Sequence, residues 1–459
     1  MNCRLTDGSV GSHLVKLSIP MLFNILTVVA FNLTDTYFVA QLGTEELAAM
    51  SLTFPVIATL VSLTMGLGDG AGAVIAIAIG EGNRQKVRQL NTDGLTLSLI
   101  IGIVVTVVAL MIITPLFTAL GAKSEVLSLV KEYMGIWYLG AIFLVVSAIA
   151  MNTIRALGEM KVLSLIVLTA TLINILLDPL FIFGLLGFPR LELAGAAIAT
   201  VISQGTILLG GLMFLHHERL ISFTSSKLSK VWKSWGEILH LGIPAAAKNA
   251  ISPISLGLIT SMVAIYGSEA IAAFGIASRL ESLVMIVFFS LSAAIAPIVG
   301  QNWGAKKYQR VDRAFNLSLR FCVIWGVAIA VVLAFTASSF ASIFNKNQEV
   351  VAIVAKYMAI VPISYAAAGI VLIASSTFIA LGKPFPSVVM TLAHTLVIYI
   401  PLAHLGKLLW GINGIFVGAC LANLIVGLGA IIWQRQTLKR QSLVQDFTPD
   451  NSPIQASRN

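Results

Sequence analysis

The stretch PMLFNILTVVAFNLTDTYFVA, residues 20–40, decides the fold class of this chain. Asp35 is its only acidic or basic side chain, and the stretch is long enough to cross a bilayer, which takes about 20 residues. A carboxylate at that depth costs roughly 2.5–3.5 kcal/mol on insertion scales, so it is usually retained for a function. Pro20 removes one backbone hydrogen bond and provides a bend point. The stretch predicts a bendable membrane-spanning helix with a protonatable group.

The composition extends this prediction to the whole chain. Of its 459 residues, 58% are hydrophobic and only 11% are charged, whereas soluble domains carry about 25% charged residues. We therefore predict an all-α polytopic membrane protein. Twelve apolar segments are long enough to span a bilayer: 15–39, 48–78, 91–116, 131–155, 162–186, 193–215, 236–264, 270–299, 314–339, 349–379, 385–405 and 412–433.

The basic residues predict the topology. If both termini lie on one side, that side carries 20 Lys and Arg residues and the other carries 6. This bias follows the positive-inside rule, so both termini are expected in the cytoplasm of a multi-pass plasma (bacterial inner) membrane protein. The start of the chain resembles no signal peptide, so the first helix is expected to direct insertion. The net charge of +9 is thereby explained without a nucleic-acid partner.

An internal repeat predicts two halves. At a constant offset of 224 residues, LSIP (17–20) matches LGIP (241–244), and VAQLGTEELAA (39–49) matches VAIYGSEAIAA (263–273). An even number of helices in each half gives two six-helix bundles related by a pseudo-twofold axis along the membrane normal. Such bundles enclose a cleft, as transporters do. The predicted parts are lobe 1–215, cytoplasmic linker 216–235, lobe 236–433 and polar tail 434–459.

The repeat breaks at two acids. The positions equivalent to Asp35 and Asp178 in the second half are Ile259 and Leu402. Asn174 precedes Asp178 by four residues, which places both on one helix face. Asp35 lies near the outer end of its predicted helix, and Asp178 lies roughly 12 Å below the outer end of the fifth.

These depths allow the two acids to share one pocket in the outer half of the first bundle. On the sixth predicted helix, Thr200 and Ser203 fall at a similar level. Two neighbouring carboxylates in a low dielectric cannot both be charged cheaply, which is what proton coupling requires. The alternative is that each acid is isolated and stabilises its helix near the headgroups.

Other intramembrane charges have structural alternatives. Asp69 is expected near the inner interface, where the adjacent glycines allow close helix packing. Arg279 and Glu281 lie two residues apart, so they are expected to find separate partners in the second bundle. Lys248 follows Pro244 by four residues, where it can snorkel to the cytoplasm or, alternatively, line the cleft.

Sequence motifs of enzymes are missing. No P-loop or HExxH motif occurs, and Cys3, Cys322 and Cys420 have no metal-site spacing. The sequence therefore predicts neither an enzyme nor a bound metal or cofactor.

These motifs resemble a known family, the multidrug and toxic compound extrusion (MATE) transporters, in particular its DinF-like bacterial branch. The resemblance covers the whole membrane region. The motifs that carry it are LSIP (17–20), NxxDTYFV around Asp35, NTIRALGEMK (152–161), NxxxDPLFIFG from Asn174, and AGAAIAT ending at Thr200.

The resemblance implies a cation-coupled exporter that alternates between outward- and inward-open states. In the family pattern the functional acids correspond to Asp35 and Asp178. The supporting polar network corresponds to Asn174, Thr200 and Asn152. The proline about which the first helix bends on protonation corresponds to Pro20.

The sequence departs from the NorM-like branch of that family. Ser252 stands near the position of its seventh-helix glutamate, and the tenth predicted helix carries no acid. A sodium site in the second lobe is therefore not expected.

Together these features predict a proton-coupled multidrug efflux antiporter. It would be a monomer in the lipid bilayer that exports drugs and other toxic, lipophilic, often cationic compounds. Sodium coupling through the first lobe is one alternative. A lipid-linked oligosaccharide flippase is another; it would need a cationic cleft, for which Lys248, Arg279 and Arg320 are the candidates. A membrane-embedded enzyme or scaffold is a third.

Overall fold

The predicted twelve-helix architecture is confirmed. The computed structural model describes residues 5–222, 227–344 and 346–447, and the side chains within them except those at 124, 252–254, 344 and 441–447. Among the described residues, eleven of the helical segments below are long and apolar enough to cross a membrane, namely all except α7. The segments are α1 (Val10–Ala40), α2 (Thr44–Gly80), α3 (Arg84–Ala119), α4 (Ser124–Leu157), α5 (Met160–Phe183), α6 (Glu192–His217), α7 (Leu228–Ala264), α8 (Ser268–Gly304), α9 (Tyr308–Phe344), α10 (Gln348–Ala380), α11 (Pro384–Trp410) and α12 (Ile412–Phe447).

Two segments of the second half are irregular. A 3-10 turn at Val361–Ser364, which contains Pro362, interrupts α10. A π-helix at Ala393–Tyr399 interrupts α11 just before Pro401. A proline cannot donate a backbone hydrogen bond, and π-helical turns are frequent at functional sites. The corresponding α4 and α5 of the first half are each one continuous α-helix, so the two lobes differ in backbone as well as in sequence.

The two six-helix lobes meet mainly where α2 packs against α7 and α8, and where α1 packs against α8. At the first of these contacts the backbones themselves touch. A Cβ on Gly66 would collide with the backbone of Ala246, and a Cβ on Gly70 would collide with that of Gly242. Glycine at these positions of α2 is therefore required by the close approach of the two lobes.

A second contact between the lobes lies on the side of the molecule where α1 begins, which we call the inner side. Arg310, at the start of α9, donates from Nε to Asn302 Oδ1 at 2.8 Å and from Nη1 to the Gly8 carbonyl at 2.8 Å. Asn302 in turn donates to the Leu5 carbonyl at 3.0 Å. These bonds fasten the N-terminal segment of the first lobe to the second lobe.

An exposed ion pair reinforces this contact. Lys307 Nζ lies 2.9 Å from Asp7 Oδ1, and this hydrogen bond with its charge holds the pKa of Asp7 below its usual range. The stabilisation is present above the unfolded pKa of Asp7 and is lost as the pH falls through the lower folded value. Because both groups are exposed, its contribution is small.

Two predicted boundaries are wrong. Helix α7 begins at Leu228, inside the predicted linker 216–235, because Trp232 and Trp235 turn this stretch into an amphipathic helix. The Trp235 indole donates to the Asp93 carbonyl at 2.8 Å, which anchors the extension on α3. Helix α12 continues to Phe447, well into the predicted tail 434–459, of which residues 448–459 lie outside the described residues.

Replacing Arg310 tests the inner contact. Arg310→Ala removes several hydrogen bonds from a half-buried guanidinium, and bonds to charged groups contribute roughly 1.5–3 kcal/mol each. We expect a Tm several degrees below that of the wild type, measured on detergent-purified protein. The control is Arg313→Ala, three residues further along, where the side chain is exposed. Equal Tm values for the two variants would contradict this role of Arg310.

Candidate functional site

Asp35 is buried near the end of α1, with 5% of its surface exposed. The end of α1 packs against the end of α5, where the rings of Phe38 and Phe183 meet edge to face at 6.2 Å between centroids. Asp35 Oδ1 is buried and has no hydrogen-bond partner among the described residues. A buried polar atom without a partner costs free energy, so this oxygen indicates a functional position.

Asp178 and Asn174 form one buried pair on α5. Both are fully buried, and Asn174 Nδ2 donates to Asp178 Oδ1 at 3.2 Å, as their spacing of four residues predicts. The other two oxygens, Asp178 Oδ2 and Asn174 Oδ1, are buried without a partner in the described part of the chain. Pro179 follows directly and has no N–H, so the Ile175 carbonyl loses its donor within the helix.

The structure brings the two acids together. Asp35 and Asp178 lie within electrostatic reach of each other, and both lie within reach of Tyr133 on α4. The Tyr133 side chain is almost completely buried. Its hydroxyl can both donate and accept a hydrogen bond, so it is suited to follow a change in the protonation of either acid. Sequence reasoning did not include Tyr133 in the site.

Thr200 lies on α6, the neighbour of α5. One turn further along, Ser203 Oγ donates to the Ala170 carbonyl of α5 at 2.9 Å, which fixes this face of α6 against α5. Thr200 Oγ1 is buried and, within the described residues, has no partner. Asp35, Asp178, Asn174 and Thr200 thus supply four buried oxygens whose hydrogen bonds the protein leaves open. Carboxylate, amide and hydroxyl oxygens of this kind suit protons, water or a hard cation such as sodium.

Asn152 does not join these residues. Its Nδ2 donates to the Ala148 carbonyl at 2.9 Å within α4, and its side chain packs against Gly68 and Gly72 of α2. Among the described residues, no hydrogen bond links Asn152 to the two acids.

Pro20 lies inside α1, which is helical on both sides of it. The Pro20 carbonyl accepts a hydrogen bond of 2.7 Å from Ser164 Oγ on α5. The predicted bend point of α1 is therefore tied directly to the helix that carries Asp178.

The second lobe contains a buried polar cluster that sequence reasoning missed in part. Glu281 on α8 accepts a hydrogen bond from the Tyr357 hydroxyl of α10, so the expected separate partner of Glu281 is confirmed. Tyr357 is the repeat equivalent of Tyr133, so a tyrosine lies beside an acid in both lobes. This repeated tyrosine is the signal that could have identified Tyr133. Arg279, by contrast, is exposed.

The same lobe has a chain of hydrogen bonds at its irregular segments. His394 Nε2 lies 2.8 Å from Asn423 Oδ1, and Asn423 Nδ2 donates to Ser364 Oγ at 2.9 Å. His394 belongs to the π-helix of α11, and Ser364 ends the 3-10 turn of α10. These bonds hold the two irregular segments against α12. The side chain of Ser252, named for the family comparison, lies outside the described residues.

Three further charges meet where the lobes join. Arg155 Nη1 lies 3.1 Å from Asp69 Oδ1, which links α4 to α2. Lys248 Nζ donates to Ser375 Oγ of α10 at 3.3 Å, and Lys248 lies within electrostatic reach of Asp69. The prediction that Lys248 snorkels to the cytoplasm is wrong, because α7 begins about 30 Å before it and the side chain reaches across to α10.

Comparison with known proteins agrees with the two-lobe repeat. The sequence profile described as MatE matches residues 20–180 and 244–405, two matches that start 224 residues apart. The FAD transporter of Shewanella oneidensis is 35% identical over 425 residues, which cover 92% of this chain and 94% of that protein. The multidrug export protein MepA of Staphylococcus aureus is 26% identical over 425 residues, with 92% and 93% coverage.

Solved structures share the fold. The crystal structure of the Vibrio cholerae MATE transporter VcmN in the bent form matches with a TM-score of 0.90 and 28% identity, covering 95% of this chain and 98% of that one. An outward-facing conformation of a multidrug resistance MATE family transporter of the MOP superfamily matches with a TM-score of 0.88 and 25% identity, covering 96% and 98%.

The cluster around Glu281 gives a test of stability. Tyr357→Phe removes the hydroxyl that donates to the buried carboxyl group, and an unsatisfied buried partner costs about 1–3 kcal/mol, more if it is charged. We expect a clear fall in Tm in detergent. Tyr266→Phe, at a tyrosine that is 38% exposed, is the control and should leave Tm unchanged. A wild-type Tm for Tyr357→Phe would show that Glu281 does not depend on this bond.

Proposed function

Because the chain belongs to the multidrug and toxic compound extrusion (MatE) family of transporters, we propose that it is a secondary active antiporter of the plasma membrane. In this proposal both termini are cytoplasmic, and the inward movement of protons drives the export of a small organic compound. The observation that carries the proposal is the pairing of Asp35 with Asp178 in one buried site of the first lobe.

Protonation changes the balance of forces at this pair. Two buried carboxylates repel each other in a low dielectric, and each is costly to keep charged without a partner. A proton that enters from the outer side removes the repulsion and turns one carboxyl group into a hydrogen-bond donor. The Tyr133 hydroxyl, which lies within electrostatic reach of both acids, can donate to a carboxylate or accept from a protonated carboxyl group.

Movement of α1 follows from its contacts with α5. The two helices are connected at the Pro20 carbonyl by Ser164 and at the ring contact between Phe38 and Phe183. A change in the repulsion between Asp35 and Asp178 therefore acts on the part of α1 that lies between these two contacts. Because Pro20 removes one hydrogen bond of the helix, α1 bends there at low cost, and the bend alters the wall of the cleft next to α8.

The coupling ion has one alternative. The oxygens of Asp35, Asp178, Asn174 and Thr200 also suit sodium, which prefers carboxylate and carbonyl ligands. Within a sodium-driven cycle the same residues would hold the ion, and Asn152, which lies apart from the acids, would not contribute.

Named relatives suggest two of the three candidate substrate classes. Relatives named as multidrug exporters, such as MepA at 26% identity, favour lipophilic and often cationic compounds. A flavin dinucleotide is the second candidate, because the relative at 35% identity over 92% of this chain is named an FAD transporter. A lipid-linked oligosaccharide is a third substrate class, and it would place its pyrophosphate in the same cleft.

Replacing Asp35 tests the coupling site. Asp35→Asn keeps the size of the side chain but cannot lose a proton, so we expect proteoliposomes with this variant to lose at least about nine-tenths of the export driven by an imposed pH gradient. Uptake of a cationic dye and of FAD into inverted proteoliposomes measures both substrate candidates. Glu45→Gln, at an exposed acid near the start of α2, is the control and should export like the wild type.

The result separates the alternatives. If the wild type exports under a sodium gradient alone and Asp35→Asn abolishes this export, sodium rather than protons is the driving ion. Undiminished gradient-driven export by a folded Asp35→Asn protein would overturn the coupling role of this acid.

A further inference from the structure

Lys248 lies beside the contact between the two lobes. Two and three residues before it, Ala246 and Ala245 touch the backbone of α2 at Gly66, so Lys248 stands at the edge of the closest contact between the lobes. One residue later, Asn249 Nδ2 donates to the Ser62 carbonyl of α2 at 3.4 Å. The Lys248 side chain itself is half-buried and reaches α10. Lys248 therefore contacts α10 of its own lobe at the edge of the contact between the lobes.

The positive charges at this junction exceed the negative ones. Asp69 lies within reach of Lys248, yet its Oδ1 already accepts a hydrogen bond from Arg155. Two cations thus share one carboxylate. Arg155 Nε is in addition buried without a hydrogen-bond partner among the described residues. Two half-buried cations that share one carboxylate keep a net positive charge, which a further anion would compensate.

Hydrogen bonding supports the same conclusion. An ammonium group has three donors, and the acceptor that the described chain offers to Lys248 Nζ is Ser375 Oγ. That hydroxyl is also hydrogen-bonded to Ser387 of α11. A neutral hydroxyl leaves the charge of the ammonium uncompensated, whereas a phosphate oxygen provides both charge and additional acceptors.

We infer that Lys248, which shares Asp69 with Arg155, binds the phosphate of an anionic substrate and selects it over neutral and cationic compounds. This inference rests on the proposed export function and specifies its substrate as a phosphate ester of an aromatic compound, such as a flavin mononucleotide or dinucleotide. The excess positive charge also disfavours the lipophilic cations expected from the family resemblance, because like charges repel in a low-dielectric cleft.

A binding measurement tests the inference without any ion gradient. Purified protein in nanodiscs is titrated with FAD, FMN and riboflavin, which share one ring system and differ in their phosphates, and binding is followed by flavin fluorescence. For the wild type we expect FAD and FMN to bind at least about tenfold more tightly than riboflavin, since one charge-assisted hydrogen bond contributes roughly 1.5–3 kcal/mol.

The variants separate charge from shape. Lys248→Gln should weaken FAD binding about tenfold or more and leave riboflavin binding unchanged, while Lys248→Arg should keep most of the affinity for FAD. If Lys248→Gln does not fold, Lys248→Met, which keeps the aliphatic length, replaces it. Lys356→Gln removes the same charge from an exposed position of α10 and should bind FAD like the wild type.

Three results would overturn the inference. They are equal FAD affinity in the wild type and in both uncharged Lys248 variants, equal losses for FAD and riboflavin, and no preference of the wild type for phosphorylated flavins. Displacement of FAD by geranylgeranyl diphosphate at much lower concentration would assign the phosphate site to a lipid-linked substrate instead. Failure of the coupling proposal would leave these affinities unchanged, because no gradient is present.

Discussion

The structure depends on one constraint, that the interior of a bilayer offers no water to polar groups. Every buried donor or acceptor then needs a partner from the protein or from a ligand. Most polar side chains in this chain obey the rule by bonding to a backbone carbonyl one turn away, as Asn152 does with Ala148. Fourteen described residues, from both lobes, depart from it by leaving a buried side-chain nitrogen or oxygen without a partner. Asp35, Asp178, Asn174 and Thr200 leave oxygens open in the first lobe, and Arg155 leaves a nitrogen open between the lobes.

The repeat shows where the two lobes differ around a shared tyrosine. Tyr133 and Tyr357 occupy equivalent positions and each lies beside an acid, but the acids come from different helices. In the first lobe Tyr133 lies within reach of a pair of acids whose remaining oxygens lack partners. In the second lobe the tyrosine hydroxyl binds Glu281 directly. The first lobe therefore offers buried oxygens without a partner among the described residues, whereas Glu281 already has a donor.

The sequence predicted the architecture better than the details of the site. Helix number, repeat and the meeting of Asp35 with Asp178 follow from hydropathy, offset and depth, which are properties of the chain alone. The helix ends at Leu228 and Phe447 were missed because amphipathic surface helices lack the apolar run on which the predictions rested. The partners of Tyr133 and Lys248 depend on how helices pack against each other. The hydrophobic period of a helix does not specify which other helices lie next to it. The motif match assigned Asn152 to the polar network of the acids. In the structure, Asn152 bonds within α4 and lies apart from those acids.

The backbone contact between α2 and α7 has a consequence for the entry of water between the lobes. Gly66 and Gly70 bring the two lobes so close that no side chain stands between them. A joint of this kind has no space for a file of water molecules, along which protons would otherwise cross the membrane unaccompanied. It is also free of rotamers that would have to be rearranged before the lobes separate. The glycines thus close the joint to a continuous row of water molecules at these positions.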